Sequence, residues 1–304
     1  MKYGETRPPV ESFNGAGTES LAIQPVFPKD FPEVLGLLRQ IDPTRSADGW
    51  RPLFDYAWRR SNEPVGYGLR QGRDVVGYLG TVLSQMTIDG RTERFCNVTS
   101  WVTRDTNRGQ GALLVLQLRR LRGYTITNLT LTPHASTVFT RLGFKTLDDA
   151  WTVLPPNPLL GFAARRTKCR LLFNPEEMRP LLGDDEARIL EDHLPYARHL
   201  LVVTPEGMCY VVYAVRSRWK LPSARIHYLS DKSIFERCWP SIHLNLLGRH
   251  GTVFAEAASR ILSGIRIAGS VRKQMRAPRL FQSTRLSPEQ VNDLYTEIVL
   301  LGVG

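Results

Sequence analysis

The residues best placed to do chemistry stand together at Arg108-Gly-Gln-Gly-Ala-Leu113. They follow the strand-like run Phe95-Cys-Asn-Val-Thr-Ser-Trp-Val-Thr103 and precede an apolar run at helical spacing, Leu114, Leu118 and Leu121. Gly109 and Gly111 let the backbone bend and let a ligand approach without a Cβ in the way. The first amides of a helix have no internal partner and can donate to an anion, and the helix dipole adds to that attraction. Strand, glycine turn and helix start thus predict a cradle for a pyrophosphate, with Arg108 as a fixed positive charge beside it. Two other phosphate-binding designs are excluded. No Gly-Lys-Ser/Thr follows, as a P-loop needs. The preceding strand is the third of an antiparallel meander, whereas a dinucleotide fingerprint opens a parallel unit and is longer.

The elements that must hold this turn are legible around it. Asp30 to Gln40 reads as a helix with Pro32 in its first turn. Three strands follow, Tyr67–Arg70, Asp74–Ile88 and Phe95–Thr103. Gln71-Gly-Arg-Asp74 and Asp89-Gly-Arg91 separate them, and Asp-Gly between apolar runs signals a hairpin. Beyond the turn come a helix over 110–122, stopped by Gly123, a strand over 125–131 and a helix over 135–142 ended by Gly143. Pro155, Pro156 and Pro158 mark a boundary, followed by the basic stretch Ala164–Arg170. The second half reads as a helix near 184–194, strands at 199–204, 208–216 and 224–229, a helix over 231–247 and a strand over 252–255. A closing helix is predicted over 287–300, where Ser287 and Gln290 form a capping-box pattern.

The turn and the segment after it resemble the GNAT acyltransferase superfamily. Its cofactor loop follows Arg/Gln-x-x-Gly-x-Gly/Ala. Arg108-Gly-Gln-Gly-Ala-Leu113 fits the first four positions, and Leu113 replaces the last small residue. Ala135-Ser-Thr-Val-Phe-Thr-Arg-Leu-Gly-Phe-Lys145 is similar to the family's Ala-x-x-Leu-Tyr-Glu-Lys-Leu-Gly-Phe segment. The two motifs lie in the expected order, and the likeness spans residues 22–152. It implies an α+β fold with a mixed, mostly antiparallel sheet, splayed between its fourth and fifth strands and flanked by helices. It further implies an acyl-CoA-dependent transferase acting on an amine acceptor. The pantetheine arm would pair with the strand edge at Trp101, Val102 and Thr103. The pyrophosphate would meet amides from Arg108 through Gly109, Gln110, Gly111, Ala112 and Leu113. Acetyl-CoA or another acyl-CoA is the implied cofactor, without a metal.

Direct acyl transfer to an amine needs a base for the ammonium and an acid for the leaving thiolate. The family's usual acid is a Tyr in the second motif, and here Phe139 stands at that position and cannot donate. Its usual base is a carboxylate on the fourth strand, and residues 95–103 hold none. His134 is the nearest replacement by type, as a base or simply as a surface residue. Asn97, Thr99 and Ser100 could orient an acceptor or be routine sheet residues, and Asp55 and Glu63 precede the sheet. Two readings stay open: an N-acyltransferase, or a GNAT-fold protein that binds acyl-CoA without chemistry. The second half, 171–304, reads as another α+β domain of loosely GNAT-like order, lacking a glycine cofactor loop and shaping the acceptor site or an interface. His227 reads there as structural.

With 304 residues, two domains are expected, residues 1–21 forming a polar, disordered leader and 153–170 a linker. A formal charge of +11 favours anionic partners: nucleic acid, an anionic membrane face, an acidic acyl-carrier protein or a phosphorylated cofactor. Scattered basic residues without an aromatic or Cys/His motif place nucleic acid last. Arg119, Arg120 and Arg122 read as a solvated face or as a landing patch for a 3′-phosphate or a carrier protein. No apolar run is long enough for a membrane span, and no signal peptide is visible. Cys96, Cys169, Cys209 and Cys238 form no CxxC pair and read as reduced thiols of a cytoplasmic protein. The oligomeric state is not legible.

Overall fold

The computed structural model describes residues 11–13, 20–156, 164 and 168–303. The basic stretch and linker expected before residue 168 fall largely outside them, as does most of the leader, of which 11–13 form a strand. Contacts divide the chain into two interleaved units. The first holds residues up to 84 and 96–124; the second holds 85–95 and everything from 125 onward.

In the first unit the strands run in the order β1 (Glu11–Phe13), β2 (Leu21–Val26), β3 (Gly66–Gln71), β4 (Asp74–Ile88) and β5 (Arg91–Thr103). β2 pairs antiparallel with β1 and β3, and β3 pairs antiparallel with β4, so the meander is as its turns predict. Gly72 (φ 58°) closes the β3–β4 hairpin with the positive φ that glycine takes without strain. Helix α1 (Phe31–Ile41) buries Phe31, Val34, Leu37 and Leu38, an i, i+3, i+6, i+7 stripe, and α2 (Ala47–Trp50) is capped by Ser46. Phe54 packs between Phe31 and Tyr78, with ring centroids at 4.9 and 5.8 Å.

The tip of the β4–β5 hairpin belongs to the second unit. There Asp89 (φ 49°) and Gly90 (φ 73°) form the left-handed pair that a two-residue hairpin turn demands. The unit's remaining strands follow the order β6 (Tyr124–Asn128), β13 (Val271–Gln282), β7 (Lys145–Leu154), β12 (Phe254–Ala258), β11 (Leu221–Leu229), β10 (Gly207–Arg218), β9 (Arg198–Thr204) and β8 (Arg170–Leu172). Only the β11–β12 pair is parallel among the registers recorded for this sheet, so the sheet is mixed. Its helices are α4 (Pro133–Arg141), α5 (Pro175–Met178), α6 (Asp184–His193), α7 (Lys232–His250) and α8 (Glu297–Leu301). No helix among the described residues is long and apolar enough to cross a membrane.

Two elements depart from expectation. β13 is a strand that periodicity did not announce: its first six residues are mostly exposed and basic, and Pro278 interrupts it. The closing segment is not one helix. Ser287 and Gln290 do form the capping box, but only over a 3-10 turn at Pro288–Gln290. The chain then unwinds, and Tyr295 adopts a left-handed conformation (φ 58°) before α8 begins.

The unwinding delivers Asp293 to a buried ionic cluster. Asp293 accepts from Arg279 at 2.7 Å and from Arg260, which also holds Asp148. Arg225 donates twice to Glu256, at 2.7 and 3.0 Å, and the guanidinium groups of Arg225 and Arg279 lie 4.6 and 4.5 Å from the Trp151 ring. Burial alone would raise the Asp293 carboxyl, but Arg279 and Arg260 outweigh it and hold the group well below the carboxylate range. Three histidines of this unit are neutral by burial. His227 is pushed down to about 3, His193 to about 3 and His199 to about 4. His227 lies in the core at 1% exposure.

These histidines set an acid limit. Their folded pKa values lie below the unfolded value of about 6.5, so below that pH the unfolded chain takes up protons that the native state refuses. Stability is therefore expected to fall from pH 7 to pH 5 by on the order of 1–2 kcal/mol for each such histidine. Urea unfolding followed by tryptophan fluorescence at both pH values checks this, and His227→Leu is expected to flatten the slope.

Candidate functional site

The candidate turn is assembled in the first unit from the end of β5. Along β5 burial changes character: residues 95–99 are buried on both faces, and Ser100, Trp101, Val102 and Thr103 are half-exposed. The change falls at Ser100, whose φ of 52° is left-handed within a strand. A non-glycine residue in that region is uncommon and breaks the regular strand path, which re-aims the residues beyond it. The sequence gives no sign of this kink. Asn97 and Thr99 are buried just before it, and the Thr99 and Ser100 hydroxyls lie 3.2 Å apart.

After Thr103 the backbone does not enter a long helix over 110–122. It winds into a 3-10 turn, Asp105–Gln110, then a short α-helix α3 (Gly111–Leu116), then a second 3-10 turn, Gln117–Arg120. The amide of Arg104 donates to the Val76 carbonyl at 2.8 Å and that of Asn107 to the Arg104 carbonyl at 2.9 Å. The amide of Gly111 donates to the Arg108 carbonyl. The expectation that the amides at the helix start lack internal partners is therefore corrected for Gly111. Tight winding occurs here because Asn107 anchors the turn from inside. It is buried, and its side chain donates to Gln110 at 2.8 Å and to Gln71 at 3.4 Å.

The two glycines do different work, and neither supplies a left-handed conformation. Gly111 has a φ of −57°. A Cβ on it would stand 3.1 Å from Thr103 Cγ2 and 3.3 Å from Trp101 Nε1, so it lets α3 press onto the end of β5. The Trp101 indole donates to the Gly111 carbonyl at 3.0 Å across this contact. A Cβ on Gly109 would meet nothing within 4 Å, so the ground above the turn is open. Arg108 and Ala112 are exposed, Gln110 and Leu113 half-buried. Arg108 pairs with Asp105 at 2.8 Å, and both side chains are more than three-quarters exposed, at 78% and 84%. Such a pair is screened by solvent and yields readily to a ligand anion. A cleft of about 470 Å³ lies farther along α3, where Arg119, Arg120 and Arg122 face Ile23, Leu113 and Leu116. Asp55 is exposed, and Glu63 pairs with Arg60 at 4.0 Å.

In the second unit, Thr132 caps α4 by accepting from the Ala135 amide at 3.2 Å, which places His134, exposed, in the first turn. Phe139 is fully buried, edge-on to Phe144 at 5.0 Å, and is a core residue. Between β6 and α4, the exposed Thr130 donates its hydroxyl to the buried carboxylate of Glu297 at 2.8 Å. Sequence analysis missed this pair, since its members lie 167 positions apart. Among the described residues no cluster of His, Cys, Asp and Glu could hold a metal.

No family model matches the chain, and no curated protein matches it. Solved structures do. A GCN5-related N-acetyltransferase from Kribbella flavida matches with a TM-score of 0.58 at 14% identity, over 88% of this chain and 72% of that one. One from Anabaena variabilis matches with a TM-score of 0.56 at 8% identity, over 86% and 72%. The chain has the GNAT fold. Over residues 21–154 the elements follow the order β2, α1, α2, β3, β4, β5, α3, β6, α4, β7.

Two substitutions separate the roles of the glycines. Gly111→Ala is expected to destabilise the unliganded protein by about 1 kcal/mol through its contacts with Thr103 and Trp101. Gly109→Ala, in open space, is expected to change stability by less than about 0.5 kcal/mol. Thermal unfolding of both variants without ligand checks the pair.

Proposed function

We propose that the chain is an acyl-CoA-dependent N-acyltransferase that moves an acetyl or longer acyl group to a small-molecule amine. Residues 22–152 form the donor half and 171–304 the half that shapes acceptor binding. The observation that carries this reading is the wound turn after β5, with open ground at Gly109 and an exposed, weakly held Arg108. The residues suit the cofactor that the fold implies. The half-exposed residues Trp101, Val102 and Thr103 would receive a pantetheine arm, and the turn from Arg108 to Leu113 would hold the pyrophosphate. Bound acyl-CoA supplies an activated thioester carbonyl. An acyl-carrier protein is a second possible donor, for which Arg119, Arg120 and Arg122 are the candidate contact.

The chain's own part is to hold the donor and to move protons. His134, exposed in the first turn of α4, is the candidate base for the acceptor ammonium. Phe139 cannot serve as acid, so the thiolate takes its proton from solvent or from the acceptor side. The buried Phe139 also supports the second reading, a GNAT-fold protein that binds acyl-CoA without turnover.

Thermal shift with CoA, acetyl-CoA and a long-chain acyl-CoA tests the donor site, because a ligand that binds only the native state raises its stability by mass action. Arg108→Glu is expected to abolish the shift; an unchanged shift would move the site elsewhere. Release of CoA thiol with a panel of amines separates enzyme from binder. In that assay His134→Ala is expected to lower kcat by about 100-fold or more with CoA affinity retained. Full activity in that variant would remove His134 from the mechanism.

A further inference from the structure

The second unit contains a hairpin turn made of two residues that disfavour its backbone. β10 ends at Arg218 and β11 begins at Leu221, so Trp219 and Lys220 alone make the turn. Both are left-handed, with φ of 53° and 64°. A two-residue turn of this kind needs positive φ at both positions, which is why Asn-Gly and Asp-Gly dominate it. Asp89 and Gly90 obey that rule in this same chain. Bulky side chains at such positions are genuine outliers, and strain of this sort persists where a function retains it.

The strain displays an apolar tip ringed by cations. Trp219 is 52% exposed, and Leu221 beside it 46%. Lys273 on β13 places its ammonium 4.0 Å from the centroid of the Trp219 ring, which brings the exposed start of β13 to the turn. Val271, two residues earlier and on the same face of that strand, is 55% exposed. Lys220 and Lys273 are exposed here, as is Arg276 farther along β13, while Arg272 lies on the other face of that strand. Two carboxylates recorded nearby are already held, Glu256 by Arg218 and Arg225, and Asp149 by Arg272 at 2.6 Å.

We infer that this tip docks the protein onto an anionic membrane surface, with Trp219, Leu221 and Val271 entering the headgroup boundary and the surrounding cations meeting lipid phosphates. Exposed Trp at an interface, set among Lys and Arg, is the chemistry that combines shallow apolar insertion with attraction to acidic headgroups. Single-stranded nucleic acid fits less well. It would use the flat face of the ring for stacking. That ring is already stacked on Phe254 at 5.3 Å and covered by Lys273 and Arg218, and Leu221 and Val271 offer a base no flat face.

The test is co-sedimentation of the full chain with sucrose-loaded vesicles, of phosphatidylcholine alone or with about one third phosphatidylglycerol. Binding is expected to the acidic vesicles only and to weaken as salt rises. The double variant Trp219→Asn with Lys220→Gly restores an ordinary turn. It is expected to raise the thermal midpoint while lowering vesicle partitioning by about tenfold or more, a combination that misfolding cannot produce. Lys273→Glu with Arg276→Glu, outside the two-residue turn, is expected to lose binding as well. Wild-type protein left in the supernatant with acidic vesicles, or either variant binding like wild type, would overturn the inference. So would wild-type affinity for a single-stranded oligonucleotide exceeding that for the acidic vesicles.

Discussion

The candidate site depends on one close approach: α3 seated on the end of β5 with only the missing side chain of Gly111 between them. The indole of Trp101 donates to the Gly111 carbonyl across the seam, and Thr103 fills its other side. This contact fixes where the chain turns after the strand, and hence which backbone faces outward from Arg104 to Leu113. Asn107 locks the same turn from below through Gln110 and Gln71. For the proposed pyrophosphate site this means preorganisation, since amides aimed in advance would need no reordering when an anion arrived. The turn's shape is set by packing and side-chain hydrogen bonds, with no help from left-handed glycine.

The second unit is organised by charge instead. Its centre holds Arg260, Arg279 and Arg225 against Asp148, Asp293 and Glu256, with Trp151 between guanidinium groups. Buried ions are costly to desolvate and are poor sources of net stability, but breaking one pair leaves an uncompensated charge and is severely penalised. Such a network therefore restricts how the C-terminal segment can pack. It explains why residues 291–296 abandon the helix that Ser287 and Gln290 begin.

Much of the fold was legible in the sequence because its local signals are strong. Asp89-Gly90, Gly72 and the apolar runs of β3 to β5 define the meander without tertiary help, and the Leu142-Gly-Phe144 ending closes α4. The position of the candidate turn was legible for the same reason. Its winding was not, since the burial of Asn107 depends on Gln71 from another strand. Ser100 carries no sequence mark of its left-handed backbone. Trp219 and Lys220 contradict the turn they occupy, so local reading sees only a strand-like run broken near Arg216. β13 hides because its exposed half is basic and its pairing partners lie far away. Thr130 and Glu297 meet only through tertiary structure.

β13 lies between β6 and β7, two strands separated in the chain only by α4. It bonds to both, and the Thr125 and Ser283 hydroxyls that meet beside it are 158 positions apart. During synthesis the neighbouring edges of β6 and β7 must therefore wait, unmatched, while almost all of the rest emerges. Late closure of this kind carries a large loop-entropy barrier and leaves bare strand edges open to wrong partners in the meantime. The nascent polypeptide should for that reason depend on chaperones well after its first half has left the ribosome, and a truncation before residue 271 would leave β6 and β7 without the strand that bridges them.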